Sequence, residues 1–537
     1  MMRSLLQRHG LKLGLVVLIL CKFWLVHTDD IYGSATEHDA LWYVGSAKNW
    51  YWGTPYSWTA FARPPAYPLF IALVHLCAIP LRIAIELLQI TAYLVLVTAF
   101  RKVAVPIAVC LFAFAAMLFH PASFVFNNHT MSDSFYAGVL PLALGGLLLT
   151  LFTGKPGHAI WAGVALGILW NTREESILIP AMLVVFFGIA FFRHHSETGS
   201  WKAAARFWMK PAASMLVTLA LLVIAAGAAN YRAFHSFSKS EMTSSSFQAA
   251  YKALLRIKPN RQQRFVSVST EALETAYKAS PTFARLKPQF EGDLGHNWQV
   301  PAFTALGLHE IGAPWFFWAL RSVAANSGDI HNSAANANRF YRNAAREINR
   351  ACDEGRVSHR FVLSSFLDPG ALASIRYLPQ SFLRIAGLFL LQFERTPGRD
   401  DAILTVSQRA LYDEMTGRGA ASSDQDGLSA SLENFISRYH PVFVAGMSLI
   451  GFAALLIVTW HWRLRRLRNP LNPVLVLLAA SIFLRMTLFS YLDATWWIGG
   501  YDRYLFPVMP LYSCFLILLI YQAIRVMAAT RGGMISR

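Results

Sequence analysis

The stretch LGLVVLILCKFWLVHTDDIYGSATEHDALWYVG, residues 13–45, begins as an apolar run and ends among acidic and aromatic residues. The run 11–27 approaches the roughly 20 residues that a helix needs to cross a bilayer. The segment before it is basic, and the exit has no convincing small-residue cleavage site. We therefore expect an uncleaved first helix with its N-terminus inside. Two carboxylates, Glu37 and Asp39, then follow shortly after this membrane helix, and their position requires an explanation.

The composition indicates the same class of protein for the rest of the chain. Of 537 residues, 55% are hydrophobic and only 15% are charged, whereas a soluble domain carries about 25% charged residues. The sequence predicts an all-α polytopic membrane protein with about 11–13 membrane helices. Further apolar runs lie at 64–81, 84–100, 103–119, 133–152, 158–170, 176–192, 211–229, 438–460, 471–489 and 503–526.

The net charge of +18 is expected from Lys/Arg-rich cytoplasmic loops, and no nucleic-acid motif is present. Basic clusters at 193–210 and 461–469, with both termini, are predicted inside. The loops 28–63 and 490–502 then lie outside, as does the long polar stretch 230–437.

This topology predicts three units: a transmembrane module 1–229, a mostly helical periplasmic domain 230–437, and C-terminal transmembrane helices 438–537. The proline-rich run 64–81 is expected to cross only in part, and 381–392 to lie at the interface. Within the outer domain, the segment 337–357 repeats apolar residues at helical spacing and ends at Gly355.

Ionisable residues cluster where apolar runs meet the predicted outer face, and such residues are often functional. Asp39, Tyr43 and Ala47 follow each other at four-residue intervals, which places them on one helical stripe. Asp39 is then either a general base at the membrane surface or a solvated loop carboxylate.

Four other charged residues stand at similar places. Arg63 precedes two prolines, and arginine suits phosphate because its planar fork stays charged; interfacial snorkelling is the alternative. Asp133 opens an apolar run, where it could be a simple helix cap with Ser132 and Ser134 beside it. Buried ion pairing is the alternative for the residues that stand beside carboxylates in WNTREES (170–176) and GGYDRYLFPVMP (499–510), Arg173 and Arg503.

Taken in order, these motifs resemble the GT-C superfamily of membrane glycosyltransferases. The first motif is an acid with Tyr four and Ala eight residues later, which begins at Asp39. It is followed by Arg-Pro-Pro-x-Tyr-Pro from Arg63, a second Asp at Asp133, and an Arg in a helix connection at Arg173. The last motif is Arg-Tyr-x-x-Pro-x-x-Pro from Arg503. Protein O-mannosyltransferases and bacterial lipid A aminoarabinose transferases are similar. The resemblance covers 1–230 and 438–526 but not the outer domain. Ala40 stands where relatives often have Glu, and Arg63 where many have Lys.

The resemblance implies a GT-C-like helix bundle and an inverting glycosyltransferase that moves a sugar from a polyprenyl-phosphate donor to an acceptor hydroxyl. Asp39 would be the base, and Asp133 a second carboxylate that orients acceptor or sugar. The donor phosphate would be bound by Arg503, Arg63 and Arg173. Sugar or acceptor would contact Glu37, Tyr43, Trp42 and Tyr504, and Trp50 and Trp52 could extend the aromatic wall, although interfacial belts contain such residues too.

The resemblance also implies a multi-pass protein of the bacterial inner membrane with its active site on the periplasmic face. Expected partners are the polyprenyl-phosphate sugar, membrane lipids, and a glycolipid, polysaccharide or protein acceptor, without nucleic acid. A divalent metal, which some relatives require, is not favoured, because His38 and His129 have no recognisable ligand spacing; no cofactor is expected.

Two other functions remain open at this point. A transporter or flippase of lipid-linked sugar would also place charges in a bundle, although no inverted repeat is visible. An envelope glycan polymerase or ligase would place key residues in a late outer loop, where this chain has His309, Glu310 and Arg321.

Overall fold

The computed structural model describes residues 2–27, 29–32, 37–367, 369–393, 405–418, 427–464, 469–497 and 499–535. In this part of the chain the regular structure is helical, and strand pairing is limited to two isolated bridges, Tyr32 with His129 and Ile257 with His359. Eight described helices are long and apolar enough to cross a membrane, and three shorter apolar helices accompany them. The predicted all-α polytopic class is confirmed.

Ten of the described α-helices belong to the N-terminal part of the chain. They are α1 Met2–Val26, α2 Glu37–Lys48, α3 Ala66–Leu76, α4 Leu81–Lys102, α5 Ile107–Leu118, α6 Pro121–Phe126, α7 Ser132–Thr153, α8 Pro156–Trp170, α9 Leu178–Thr198 and α10 Trp201–Phe234. Helix α3, within the proline-rich run, has only 11 residues. At 1.5 Å per residue it spans about half of a bilayer core of roughly 30 Å, so it cannot cross alone.

Helix α7 is the central helix of this bundle, with 89% of its membrane-length window buried. Two glycines allow its neighbours to approach closely. A Cβ on Gly145 would lie 2.6 Å from Val95 of α4, and one on Gly146 would lie 3.0 Å from the Ala162 Cα of α8. Because α7 is packed on several sides, its first turn, which carries Asp133, is held firmly in the bundle.

The outer region is helical, as predicted. Its helices are α11 Ser245–Arg256, α12 Thr270–Ala279, α13 Pro281–Ala284, α14 Lys287–Phe290, α15 Asp293–Leu306, α16 Ala313–Ala325, α17 Ala334–Asp353, α18 Ala371–Ser374, α19 Leu378–Gly387 and α20 Val406–Thr416. Residues between Met242 and Val362 form a hydrophobic core separate from that of the bundle. Helix α19 has ten residues, too few to cross a membrane.

Helix α17 confirms the helical pattern predicted over 337–357. Its apolar residues Phe340, Ala344, Ile348 and Cys352 are all buried in the outer core. The helix ends at Asp353, and Gly355 adopts a φ of +72°, the left-handed conformation that glycine accepts after a helix.

The chain returns to the bundle through α21 Gly427–Leu464, α22 Asn472–Thr495, α23 Tyr501–Leu505 and α24 Met509–Ile535. The predicted divisions at 229/230 and 437/438 fall inside α10 and α21, which are continuous helices. The three-unit division and the side of the membrane on which the outer region lies stay predictions.

Candidate active site

Asp39 and Arg63 form the first part of the site. Asp39 lies in the first turn of α2, and with Tyr43 and Ala47 it forms the buried face of that helix. The Arg63 Nη2 atom lies 2.6 Å from Asp39 Oδ1. Burial acts to lower the pKa of the Arg63 guanidinium, but the nearby Asp39 carboxylate, with Tyr43 and Glu174, raises the pKa overall. Arg63 is therefore a permanent cation held against Asp39.

Aromatic rings surround the Arg63 guanidinium. Its Cζ atom lies 4.3 Å from the centroid of Trp318 and 5.6 Å from that of Trp42. Trp42 and Trp318 are stacked at 4.8 Å with an interplanar angle of 18°, and Trp58 meets Trp42 edge-on at 5.7 Å. Trp42 was predicted for the site, whereas Trp318 comes from α16 of the outer region.

Tyr43 connects this pair to the start of α7. Its hydroxyl donates a hydrogen bond of 2.9 Å to Ser132 Oγ, which also accepts from Arg173 Nη1 at 3.1 Å. The alternative role for Asp133 was that of a simple helix cap, but the residue that caps α7 is Met131, without a side-chain hydrogen bond. The Ser132 hydroxyl instead joins two functional candidates.

Asp133, Arg173 and two residues not predicted from the sequence form a buried ion network. Arg173 Nη1 lies 2.7 Å from Asp133 Oδ1, and Arg173 Nη2 lies 3.0 Å from Glu175 Oε1. Arg485 Nη2 lies 3.0 Å from the other oxygen of Glu175, and its side chain is only 1% exposed. Buried charges persist only when they are paired in this way.

Arg503 lies at the edge of the same network. Its Nε atom is 3.7 Å from Asp133 Oδ2, and Nη2 donates to the Tyr504 hydroxyl at 2.8 Å. The Tyr504 ring lies between two arginines, 5.1 Å from the Cζ of Arg173 and 4.7 Å from that of Arg503. Arg503 is thus more loosely paired with carboxylate than Arg63 or Arg173.

The structure brings together eight of the predicted residues at one end of the bundle: Asp39, Trp42, Tyr43, Arg63, Asp133, Arg173, Arg503 and Tyr504. The side chains of Glu37 and His38 lie outside what the structure describes. Trp50 is exposed and Trp52 donates to Asn230 of α10 at 2.7 Å, so neither extends the Trp42 stack.

Asp39 and Asp133 face separate arginines, and among the described residues no group of three His, Cys, Asp or Glu side chains could hold a metal ion. The preference for a metal-independent site stays a prediction, as do the roles of the individual residues.

Arg485 and Lys239 were not predicted as site residues, and they differ in how far the sequence alone could have indicated them. Arg485 is a lone arginine inside the apolar run 471–489, which alone marks it as unusual for a membrane helix. Lys239, in the outer region, donates to the Arg173 carbonyl at 2.8 Å and to Ser176 Oγ at 2.6 Å. Burial lowers the pKa of Lys239 to about 8. No spacing in the sequence connects Lys239 to Arg173.

Residues of the outer region also hydrogen-bond to the loop that precedes Arg63. Arg321 of α16 pairs with Glu241 at 2.7 Å and donates to the carbonyls of Trp58 and, at 2.9 Å, Ala60. The Glu241 amide donates to the Phe61 carbonyl at 2.9 Å. Arg321 therefore fixes the loop, and none of its described hydrogen bonds or ion pairs reaches the buried ion network.

His309 and Glu310 lie elsewhere in the outer region. His309 packs on Phe303, and Glu310 accepts two hydrogen bonds from Thr270, at 2.8 and 2.9 Å. Neither residue has a described contact with the arginines of the site.

Neither a protein-family model nor a curated protein sequence matches the chain. The chain is similar to two solved structures of ArnT from Cupriavidus metallidurans. The one bound to undecaprenyl phosphate has 15% identity and a TM-score of 0.31, over 94% of this chain and 77% of that one. The apo structure has 14% identity and a TM-score of 0.32, over 94% and 76%. Similarity of this size does not establish a reaction, so the function proposed below rests on the site itself.

Proposed function

We propose that this protein is an inverting membrane glycosyltransferase that moves a sugar from a polyprenyl-phosphate-linked donor to an acceptor hydroxyl at the outer face of the inner membrane. The observation that carries the proposal is the convergence of Asp39 with Arg63, Arg173 and Arg503 at one end of a membrane bundle. Sugar transfer from a phosphate needs a base and several fixed cations in one poorly hydrated place.

Asp39 is the general base in this mechanism. The acceptor oxygen attacks the anomeric carbon, the bond from that carbon to the phosphate oxygen breaks, and the electron pair leaves with the polyprenyl phosphate. The acceptor proton passes to Asp39 Oδ2, while Oδ1 is held by Arg63 at 2.6 Å. Fixing one oxygen orients the other, which reduces the reorganisation needed at the transition state.

Arg503 is the first candidate for the donor phosphate. Arg63 and Arg173 each have a carboxylate oxygen within 2.7 Å, whereas among the described residues the nearest ion-pairing carboxylate oxygen to Arg503 is at 3.7 Å. Its side chain is also 25% exposed, so a ligand can reach it. A guanidinium whose charge is only partly matched gains most from a second anion. Arg63 and Arg173 supply the surrounding positive field.

Trp42 and Trp318 support the assignment of a sugar site next to the base. Their stacked rings lie against Arg63, which contacts Asp39. Large rigid faces of this kind bury the apolar face of a pyranose ring at little entropic cost. In this proposal Tyr504 positions both Arg173 and Arg503 through its ring and hydroxyl.

The test is sugar transfer by purified protein in lipid nanodiscs. Polyprenyl-phosphate donors with radiolabelled sugars would be supplied with envelope glycolipid, polysaccharide and protein fractions. We expect label to become covalently attached to one acceptor, and Asp39→Asn to reduce the rate by about 10²- to 10⁴-fold, the usual contribution of a general base. Asn49→Ala, at the exposed position directly after α2, is the matched control. Full activity of Asp39→Asn would exclude Asp39 as the base.

The transporter alternative predicts a different result in the same preparation. In sealed vesicles it would move unmodified lipid-linked sugar across the bilayer without attaching it to an acceptor. The charged residues of the site lie at one end of the bundle, whereas transporter sites lie near the bilayer midplane. Label that crosses the membrane but never leaves the donor lipid would favour the transporter and contradict our proposal.

A further inference from the structure

A groove between α11 and α17 in the outer region has no role in the mechanism above. It consists of two adjoining cavities of about 640 and 560 Å³ that share Ala249 and Asn349 as lining residues. Both volumes fall in the range typical of small-molecule sites. Most of its lining residues have polar or charged side chains, although Ala249, Ala345, Phe361 and Val362 add apolar surface, and the groove is open to solvent.

The groove starts beside the end of membrane helix α10. Near its start, Asn338 of α17 lies 3.5 Å from the carbonyls of Phe234 and His235 and accepts a hydrogen bond from Ser246 of α11. Further along, Arg256 of α11 donates to Asn349 of α17 at 2.6 Å. The two helices therefore run side by side in the same direction, away from the end of α10.

Positive charge follows the groove along its whole length. Arg339, Arg342 and Arg346 recur at helical spacing on α17, and the first two form no ion pair with any described residue. On the other side and at the far end are Lys252, Arg256 and Arg360. The single carboxylate among the lining residues is that of Asp353, which already pairs with Arg256 at 2.6 Å.

The arrangement of these cations indicates the type of ligand. Arg339 and Arg346 are seven residues apart, or roughly 10 Å along a helix, so side chains that extend straight from the helix present separate positive charges. A ligand with several anionic groups along a chain matches this spacing. Between the charges are the amides of Asn343 and Asn349, and at the rim the Phe361 side chain is 86% exposed. Amides and an open aromatic face suit the hydroxyls and ring faces of sugars.

We propose that this groove binds an anionic glycan, one that carries phosphate or carboxylate groups along its chain, as part of the acceptor. The identification of the glycan as acceptor rests on the proposed function, whereas binding itself does not. Peptide and nucleic-acid polyanions would also match the charge pattern. We favour a glycan because the same outer region that contains the groove supplies Trp318 to the proposed site of sugar transfer.

The test is direct binding without any donor, so that its outcome is independent of transfer activity. Full-length protein in phosphatidylcholine nanodiscs would be titrated into fluorescein-labelled oligogalacturonate, with a neutral malto-oligosaccharide of equal length for comparison. We expect the anionic glycan to bind at least tenfold more tightly than the neutral one. We also expect Arg339→Gln/Arg342→Gln to weaken oligogalacturonate binding at least tenfold.

The matched control is Arg350→Gln/Arg356→Gln. It removes the same charge next to the groove, but both arginines pair with Glu354, at 2.7 and 2.8 Å, and neither lines either cavity of the groove. Binding should stay within twofold of the wild type. An equal loss in both variants would mean diffuse surface charge, and no loss in either would exclude the groove. A more than tenfold loss of wild-type binding when phosphatidylglycerol is added would assign the groove to lipid headgroups. Each of these three results overturns the proposal.

Discussion

Asp39 and Asp133 each face an arginine in the same site, but their surroundings differ. The Asp39–Arg63 pair connects a short helix to a loop, and the two side chains are 10% and 18% exposed. Asp133 is 1% exposed and lies between Arg173 and Arg503, in a network that also contains Glu175 and Arg485. A substrate can replace part of the first pair at low cost, whereas the second is fixed from several sides. We therefore expect Asp39 to act in chemistry and Asp133 to position the arginines.

The largest stability effect should follow from Asp133→Asn. The substitution keeps the shape of the side chain but leaves Arg503 without a carboxylate within 4 Å among the described residues. Removing one partner of a buried pair costs about 3–5 kcal/mol, so we expect a large fall in Tm in detergent, whereas Asp39→Asn should melt close to the wild type. Asp293→Asn, on the exposed start of α15, is the control. If both active-site variants melted alike, the distinction between the two regions would fail.

Arg503→Ala should act next most strongly, and on donor use. Loss of one charge-assisted hydrogen bond costs about 1.5–3 kcal/mol, which corresponds to a 10- to 100-fold rise in KM for the polyprenyl-phosphate sugar. Steady-state kinetics at fixed acceptor would measure it. Arg525→Ala, further along α24, should leave KM unchanged. A variant with normal donor KM would remove Arg503 from the phosphate site.

Trp318→Ala should have a smaller effect. The ring loses its contacts with Arg63 and Trp42, which at a partly exposed site are worth about 0.5–1 kcal/mol each, so we expect KM for donor or acceptor to rise about 5- to 30-fold. Trp318→Phe should recover part of the affinity because it keeps an aromatic face. Trp315→Ala tests the specificity of the effect, since Trp315 is on the same helix but packs towards Trp497. Equal losses in both alanine variants would indicate general damage to the outer region.

The smallest predicted effect concerns pH and Lys239. Its pKa is about 8 when folded, against 10.5 ordinarily, so between these values the unfolded chain binds the additional proton. Stability conferred by this group therefore rises with pH across that window. Lys239→Met should lack this rise, which the difference in Tm between pH 7.5 and pH 10 would reveal relative to the wild type. Lys258→Met, at an exposed position, should retain it.

The site residues that could be predicted from the sequence were those at the ends of apolar runs, because a charged residue beside a membrane segment is unusual and often functional. Arg63, Asp133, Arg173 and Arg503 were found in this way. Their pairing was not predictable, since it depends on which helices pack together. Trp318 shows this best: it lies in an outer helix with no local motif, and reaches Arg63 only through the packing of α16 on the loop 57–61. Membrane-helix patterns identify the bundle, whereas long-range contacts complete the site.

The hydrogen bonds that Arg321 donates to the carbonyls of Trp58 and Ala60 have a consequence for protein engineering. The outer region and the loop before Arg63 share these hydrogen bonds, and α16 also supplies Trp318. A chimaera that exchanges the outer region for that of another transferase would therefore release the arginine that pairs with Asp39. To transfer acceptor preference between two such proteins, the loop before Arg63 and α16 would have to be exchanged together, from the same donor sequence.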